Sequence, residues 1–279
     1  MNGTKGDYAE VSGLRMYYEI HGEGRPMVLV HGAYMTVDAM GPILSGLAET
    51  RRVIVPEMQG HGRTTDVADR PITYEGMADD VAALLRHLGV DEADTFGFSM
   101  GGGVALQLAM RHPGSVRRLV VASASYTSDG TQPELHEMTP SITPEMFAGS
   151  PIEASYREVA PNPDEFPVLV QKLKALDMTP FDWGGENVRG IGAPTMIVVG
   201  DSDAVRLEHA VEMFRLLGGG AMGDLSGLPD SQLAVLPGTA HFIPPGSGVL
   251  DRAEWLLAMV EAFLDAPTPE AEPSAGDGV

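Results

Sequence analysis

The sequence predicts one α/β domain with a mostly parallel central sheet flanked by helices, into which a small helical cap is inserted. Three observations lead to this prediction. In the first half of the chain, short apolar runs alternate with segments of helical periodicity, which is typical of repeated β-α-β units. Between residues 125 and 189 the alternation stops, and eight prolines separate short helical pieces. The alternation then resumes, which indicates an insertion.

The elements of the first half follow from local patterns. Residues 11–20 are interpreted as a hairpin at the sheet edge, because Ser12-Gly13 interrupts an extended run. Residues 73–88 carry apolar side chains at helical spacing and are followed by Gly89, which is typical of a helix end. The other elements predicted here are strands at 27–30, 52–56, 93–96 and 118–122, and helices at 37–47 and 102–110.

The second half completes the sheet after the proline-rich insertion. Strands are predicted at 194–200 and 232–236, and helices at 208–217 and 251–264. The last residues are rich in Pro, Glu, Ala, Ser and Gly, a composition typical of disorder. The predicted division is therefore a core of residues 1–124 and 190–265, a helical cap of residues 125–189, and a disordered tail of residues 266–279.

Composition and charge indicate which kinds of partner and site the protein is not expected to have. The formal charge of −21 argues against nucleic acid and anionic membranes, because both would be repelled. No run of about eighteen apolar residues is present, and residues 1–7 lack the features of a secretory signal, so a cytoplasmic protein is expected. The absence of cysteine excludes disulfides, thiolate metal sites and cysteine nucleophiles.

The pentapeptide Gly97-Phe98-Ser99-Met100-Gly101 lies between a predicted strand and a predicted helix. A G-x-S-x-G sequence in that context forms a nucleophile elbow, a tight turn that strains the serine backbone. Glycines two residues before and after Ser99 fit this turn, because strand and helix approach too closely there for side chains. We therefore predict Ser99 as a nucleophile. The N–H of Met100, at the positive end of the helix, is a predicted donor to the oxyanion.

A serine nucleophile needs a base, and the base needs an orienting acid. With this elbow the partners are expected in the order serine, acid, histidine, each just past a strand. Gly200-Asp201-Ser202-Asp203 follows one predicted strand, and Gly238-Thr239-Ala240-His241 follows the next. His241 is the predicted base, while Asp201 and Asp203 are both candidates for the acid.

Taken together and in this order, the motifs resemble those of the α/β-hydrolase superfamily over residues 11–264. Two further matching pieces are His31-Gly32-Ala33 and Gln59-Gly60-His61-Gly62-Arg63-Thr64. Within the superfamily the chain is similar to small bacterial-type serine esterases with a helical cap. The resemblance implies that the acid is Asp203, the last residue of G-x-x-D, and that Asp201 braces the loop. It also implies that the N–H of Ala33 is the second oxyanion donor.

The remaining histidines and the pocket are less constrained by the sequence. His31 and His61 lie in family loop motifs and are expected to brace loops, although His31 is a rival base because it must lie near Ser99. The spacing of the histidines matches no metal motif, so neither a metal nor a cofactor is expected. The residues predicted to line the substrate pocket are Tyr34, Tyr126, Phe147, Phe181 and Trp183.

These observations predict a serine hydrolase that cleaves small to medium carboxylic esters. Lactone hydrolysis and cofactor-free perhydrolysis use the same triad and stay open. Amide hydrolysis is less favoured, since the sequence places no acidic group to hold a substrate amine. A fold member that only binds a small ligand is a further alternative. Related dehalogenases and epoxide hydrolases carry aspartate at the elbow. Because this chain has serine there, dehalogenation and epoxide hydrolysis are excluded. A homodimer is also possible.

Overall fold

The computed structural model describes residues 6–242 and 245–267. From residue 268 onwards, the predicted tail lies outside the described residues. The strands are β1 (Asp7–Val11), β2 (Leu14–His21), β3 (Arg25–Val30), β4 (Arg51–Pro56), β5 (Ala93–Phe98), β6 (Val116–Ala122), β7 (Thr195–Ser202) and β8 (Gln232–Ala240). The helices are α1 (Gly41–Leu47), α2 (Tyr74–His87), α3 (Met100–Arg111), α4 (Pro133–Met138), α5 (Pro151–Val159), α6 (Phe166–Met178), α7 (Gly185–Arg189), α8 (Leu207–Leu216), α9 (Gly223–Ser226) and α10 (Ala253–Leu264).

The eight strands form one sheet in the order β1-β2-β4-β3-β5-β6-β7-β8. The hairpin of β1 and β2 is antiparallel, and β2 also pairs antiparallel with β4. All other neighbours are parallel. The predicted fold class, with its hairpin at one edge, is therefore confirmed.

Helices cover both faces of the sheet, which explains why its strands are apolar almost without interruption. In β3, Val28 and Val30 point to the face that packs against α2, α3 and α8. Met27 and Leu29 point to the opposite face, which packs against α1 and α10. Because side chains alternate along a strand, this run of apolar residues fills two cores at once.

The segment between β6 and β7 carries α4, α5, α6 and α7, and no named strand of the described chain lies in it. Its side chains Tyr156, Phe166 and Leu169 are buried in the same core as α2 and α3. The cap therefore covers one face of the sheet, near the carboxyl ends of the strands. The exact bounds of the core and cap division stay a prediction.

Several predicted bounds differ from the structure; the hairpin predicted at 11–20, for example, spans β1 and β2 from Asp7 to His21. The predicted helix at 37–47 is a short 3₁₀ helix, Val37–Met40, followed by α1. Pro42 lies in the first turn of α1, where its missing N–H costs no helical hydrogen bond. β5 extends to Phe98, so Ser99 alone separates it from α3. β8 extends to Ala240, because a register shift lets Ser202 of β7 pair with Ala240 beyond the turn residues Pro237 and Gly238. His241 thus follows directly after a strand.

We predict that Gly101→Ala destabilises the protein by about 3 kcal/mol or more, because a Cβ there would collide with the carbonyl oxygens of Val30 and His31. Backbone oxygens of a buried strand end cannot move aside as a flexible side chain can. Urea unfolding measures the free-energy change. Gly114→Ala is the control, since nothing lies within 4 Å of the Cβ position there. Equal effects of the two substitutions would contradict the close-approach argument.

Candidate active site

Ser99 occupies the turn between β5 and α3 with φ 55° and ψ −121°, a strained conformation for a residue with a side chain. The turn is possible because Gly97 and Gly101 have no side chains. A Cβ on Gly97 would collide with the carbonyl oxygen of Gly101. The predicted reason for both glycines is confirmed. The strained turn presents the Ser99 hydroxyl at the carboxyl edge of the sheet.

Ser99, His241 and Asp203 form a continuous hydrogen-bonded chain. The Oγ of Ser99 lies 2.9 Å from Nε2 of His241. The Nδ1 of His241 lies 2.8 Å from Oδ1 of Asp203. The imidazole ring also stacks on Phe98, with 5.3 Å between the ring centroids. The three residues come from the ends of β5, β7 and β8, and the geometry is that of a nucleophile, a base and an orienting acid.

Asp203 is buried, with 4% of its surface exposed, and several groups hold its carboxylate. Its Oδ2 accepts hydrogen bonds from the Ser123 hydroxyl at 2.6 Å and from the Gly200 N–H at 3.0 Å. Burial alone raises the pKa of Asp203. The bonds from His241, Gly200 and Ser123 outweigh burial, so that its pKa lies below the ordinary value. The acid is thus held as a carboxylate that can stabilise a positively charged imidazole.

Ser123 is a site residue that sequence reasoning missed. It follows β6 and has a φ of 55°, so a second strained serine stands at the carboxyl edge of the sheet. Its side chain is buried and donates to Asp203. No motif surrounds it; the one available signal is its place directly after a predicted strand next to the elbow strand.

Asp201 has the bracing role expected from the resemblance. Its carboxylate accepts hydrogen bonds from the N–H groups of Gly238 and Thr239, at 2.8 and 3.1 Å. These bonds tie the end of β7 to the strand end that precedes His241. The carboxylate that contacts His241 is therefore that of Asp203, while the carboxylate of Asp201 contacts the loop that precedes His241.

Two backbone N–H groups border the cavity next to Ser99, those of Ala33 and Met100. Neither donates a hydrogen bond to another group among the described residues. Met100 is the first residue of α3, where the N–H groups have no partner within the helix. A tetrahedral intermediate on Ser99 carries its negative charge where such preorganised donors stabilise it. The position of both amides agrees with an oxyanion hole.

Two buried histidines hold the loop that carries Ala33. Nε2 of His31 accepts from the Met58 N–H at 3.1 Å, and Nε2 of His61 accepts from the Tyr34 N–H at 3.2 Å. The Nδ1 atoms lie within hydrogen-bond distance of the carbonyl oxygens of Gly32 and Gln59, to which they donate. Each ring therefore uses one nitrogen as acceptor and one as donor, which requires the neutral form. The bracing role expected for both is confirmed, and within the described part of the chain His31 forms no hydrogen bond with Ser99.

Burial lowers the pKa of His31 to about 4. Burial, and then the neighbouring His31, lower the pKa of His61 to about 3. The ring centroids lie 4.9 Å apart. Protonation of either ring would break its accepted hydrogen bond and place a charge in the core, so folding requires both rings to be neutral.

The cavity at Ser99 has a volume of about 180 Å³. Among the predicted pocket residues, Phe181 lines it. Trp183 lines a larger adjoining cavity of about 560 Å³, and Phe181 and Tyr74 line both cavities. Tyr74 and Phe181, whose ring centroids are 5.4 Å apart, thus separate the two spaces. Sequence reasoning missed Tyr74, which lies at the start of an ordinary amphipathic helix.

Besides Trp183, three predicted pocket residues do not line the cavity at Ser99. Tyr126 stacks on His209 and donates its hydroxyl to Glu212, because the chain turns away from the sheet edge after Ser125. Phe147 packs between Tyr34 and Phe166 inside the cap. For these two the prediction is wrong.

Tyr34 lines a different cleft, of about 220 Å³, on the other side of His241. It therefore borders the site without lining the space next to Ser99.

The described residues contain neither a cluster of metal ligands nor a helix suited to cross a membrane. No group of three or more histidine, cysteine, aspartate or glutamate side chains within the described ranges is placed to hold a metal ion. None of the helices described above combines the length and apolar character that a membrane crossing demands.

Comparison with known proteins agrees with this architecture. A sequence profile described as the alpha/beta hydrolase fold matches residues 25–149. A 2-hydroxymuconate semialdehyde hydrolase of Pseudomonas sp. (strain CF600) is 37% identical over 120 residues, which cover 42% of each chain. The match thus spans about two fifths of that relative's length.

Solved structures extend the likeness to almost the whole chain. A meta-cleavage product hydrolase from Pseudomonas fluorescens IP01 has a TM-score of 0.68 at 21% identity, covering 93% of this chain and 97% of its own. Est816, described as an N-acyl homoserine lactone degrading enzyme, has a TM-score of 0.66 at 25% identity, covering 92% and 100%. The fold of the chain is that of the α/β hydrolases.

The buried histidine pair predicts a loss of stability in acid. Both pKa values lie below the unfolded value of about 6.5, so the unfolded state binds more protons and stability falls as the pH drops below that value. Each histidine is expected to contribute a loss of about 2 kcal/mol between pH 7 and pH 5. Urea unfolding at the two pH values measures this loss, which His61→Asn is expected to reduce by about that amount. Replacement of the exposed His87 by Gln is the control, and an unchanged loss in His61→Asn would contradict the assignment.

Proposed function

We propose that this protein is a serine hydrolase that cleaves small to medium carboxylic esters through an acyl-enzyme intermediate. The observation that carries the proposal is the chain of two hydrogen bonds from Ser99 Oγ through His241 to the buried carboxylate of Asp203. A serine hydroxyl is a weak nucleophile at neutral pH and requires such an activated arrangement.

In the proposed reaction the Oγ of Ser99 attacks the ester carbonyl while Nε2 of His241 takes its proton. The carbonyl oxygen becomes negatively charged and accepts hydrogen bonds from the N–H groups of Ala33 and Met100. Asp203 holds the imidazolium through Nδ1. His241 then gives its proton to the leaving alcohol oxygen, the carbon–oxygen bond breaks, and the acyl group remains on Ser99.

Water completes the cycle. His241 removes a proton from a water molecule that attacks the acyl carbon, a second oxyanion forms in the same place, and the Ser99 oxygen leaves with the proton from Nε2. The products are a carboxylic acid and the free enzyme. The cycle consumes one water and needs no redox partner.

Lactone hydrolysis is the second candidate, since a lactone is a cyclic ester that follows the same steps. The likeness to Est816, over 92% of this chain, favours keeping it. A carboxylate-bearing substrate, such as the muconate in the name of the Pseudomonas relative, is less favoured here. The described residues that line the Ser99 cavity include neither lysine nor arginine.

We predict that Ser99→Ala lowers kcat/KM for p-nitrophenyl butyrate at least about a thousandfold, because no other group can accept the acyl chain. Asp203→Asn is expected to lower it at least about a hundredfold, since the imidazolium loses its counter-charge. Matched controls are Ser115→Ala, at the opposite end of β6, and the exposed Asp230→Asn. Full activity in Ser99→Ala would refute the serine mechanism, and so would silence of the native enzyme toward both esters and lactones.

Phe181 is predicted to limit acyl chain length, because its ring separates the small cavity from the larger one. Its backbone is fixed by reciprocal hydrogen bonds with Ser128, so Phe181→Ala removes the ring with little change in the chain path. Loss of the ring joins the two cavities, so that the acyl chain of the substrate can bury two further methylene groups. This burial raises kcat/KM about tenfold. We expect this gain for octanoate relative to acetate in p-nitrophenyl esters. Phe214→Ala, a half-buried phenylalanine on α8, is the control, and an unchanged chain-length profile in Phe181→Ala would contradict the prediction.

A further inference from the structure

Asp177, in the last turn of α6, places an acidic side chain in the cavity that contains Ser99 and His241. Protein atoms surround the carboxylate on most sides, yet it remains open to the water of the cavity. Among the residues that the structure describes, none forms a hydrogen bond or an ion pair with it. The carboxylate is exposed to the cavity and has no partner within the described chain, so it is a candidate for binding a cation from outside the chain.

Three carboxylates that are buried in the protein each have an arginine partner. Glu57 binds Arg63, Asp80 binds Arg70 and Asp94 binds Arg117. The two lysines on the same helix as Asp177 are engaged elsewhere. Lys172 pairs with Asp66, and Lys174 donates to the carbonyl oxygens of Pro140 and Ile142. None of these arginines and lysines therefore pairs with Asp177, which is exposed to the cavity.

The groups that face Asp177 leave its charge uncompensated. His136 of α4 lines the same cavity, but its Nε2 lies 2.8 Å from the Thr131 hydroxyl and 2.9 Å from the Ser128 carbonyl oxygen. Burial raises the pKa of Asp177 to about 6, and His136 acts in the opposite direction. The acid is thus ionised in mildly alkaline solution.

Aromatic rings lie close to this carboxylate. Tyr74 and Phe181 line the same cavity. Burial, and then the negative charge of Asp177, raise the pKa of Tyr74. A carboxylate beside aromatic faces is the combination that binds alkylammonium groups, since both the charge and the ring faces attract a cation.

We propose that the cavity at Ser99 selects esters whose acyl group carries an ammonium group, with Asp177 as the specificity-determining residue that binds the cation. This inference rests on the proposed ester hydrolysis and adds its substrate class. The acyl group is chosen because Asp177 shares the cavity with Ser99 and with the two oxyanion amides. The leaving alcohol has its own space in the cleft on the other side of His241, lined by Tyr34 and Phe242.

The sequence contained no signal for this site. Asp177 stands in a lysine-containing amphipathic helix, where an acid is ordinary. Sequence reasoning identified no acidic group placed to hold a substrate amine, whereas the cap helix brings Asp177 into the cavity of Ser99 across more than seventy positions of the chain.

The test compares two p-nitrophenyl esters that differ in charge alone, the 4-(trimethylammonio)butanoate and its neutral isostere, the 5,5-dimethylhexanoate. In mildly alkaline buffer the native enzyme is expected to favour the cationic ester at least about tenfold in kcat/KM. Asp177→Asn is expected to bring the ratio close to one. Asp129→Asn removes an equal charge from the nearby surface and is expected to keep the ratio within about twofold of native.

The outcomes separate this inference from the proposed function. Hydrolysis of the neutral ester that disappears in Ser99→Ala, without preference for the cation, would overturn the role of Asp177 and leave the esterase intact. A preference that survives Asp177→Asn would overturn it too. If neither ester is hydrolysed, the proposed function fails.

A binding measurement tests Asp177 without turnover. In Ser99→Ala, 4-(trimethylammonio)butanamide is expected to raise Tm in a concentration-dependent manner, as any ligand of the native state does. Adding Asp177→Asn to that variant is expected to abolish the shift, while adding Asp129→Asn preserves it. No shift in Ser99→Ala, or an equal shift in all three proteins, would overturn the proposal.

Discussion

The close approach of β5, α3 and the end of β3 is the constraint on which the site depends. Without side chains at Gly97 and Gly101, the chain can reverse within one residue, and Ser99 takes up the strain. The same turn leaves the N–H of Met100 without an intrahelical partner, directly beside the hydroxyl. Because neighbouring parallel strands end at the same edge, Ala33, Ser123 and Asp203 meet around that hydroxyl. One steric condition thus fixes both the nucleophile and the surroundings in which charge develops.

Buried polar groups then hold the loops at this edge in place. His31 and His61 fix the loop of Ala33 through hydrogen bonds that need neutral rings. Asp201 ties the ends of β7 and β8 together, and Ser123 holds the second oxygen of Asp203. Asp201 is exposed, but at His31, His61 and Ser123 a desolvated polar atom has a partner within the protein, so the cost of burial is offset and the geometry gains rigidity.

The division of labour between sheet and cap follows from this arrangement. The sheet edge supplies the reacting groups, and their positions are set by strand ends that cannot shift independently. The cap supplies the walls, from a single insertion packed on one face of the sheet. Phe181 and Asp177 belong to this insertion and line the cavity at Ser99. The Phe181 ring limits the volume of that cavity, and the Asp177 carboxylate places a charge in it. Changes in the cap can therefore alter the substrate while the chemistry at Ser99 stays the same.

The sequence by itself determined the sheet, its hairpin edge and the order of its helices, because apolar periodicity is a local property of the chain. It also singled out Ser99 and His241, since the tight elbow and the strand ends impose motifs that are short and contiguous, whereas Asp203 was preferred to Asp201 through the family resemblance. The tertiary structure alone decided which cap residues reach the serine. Phe181 lines the cavity while Tyr126 and Phe147 pack elsewhere, although all three are aromatic residues of one segment. Ser123, Tyr74 and Asp177 have no local pattern at all. They meet the site through packing between distant segments, a property that single-sequence periodicity does not encode.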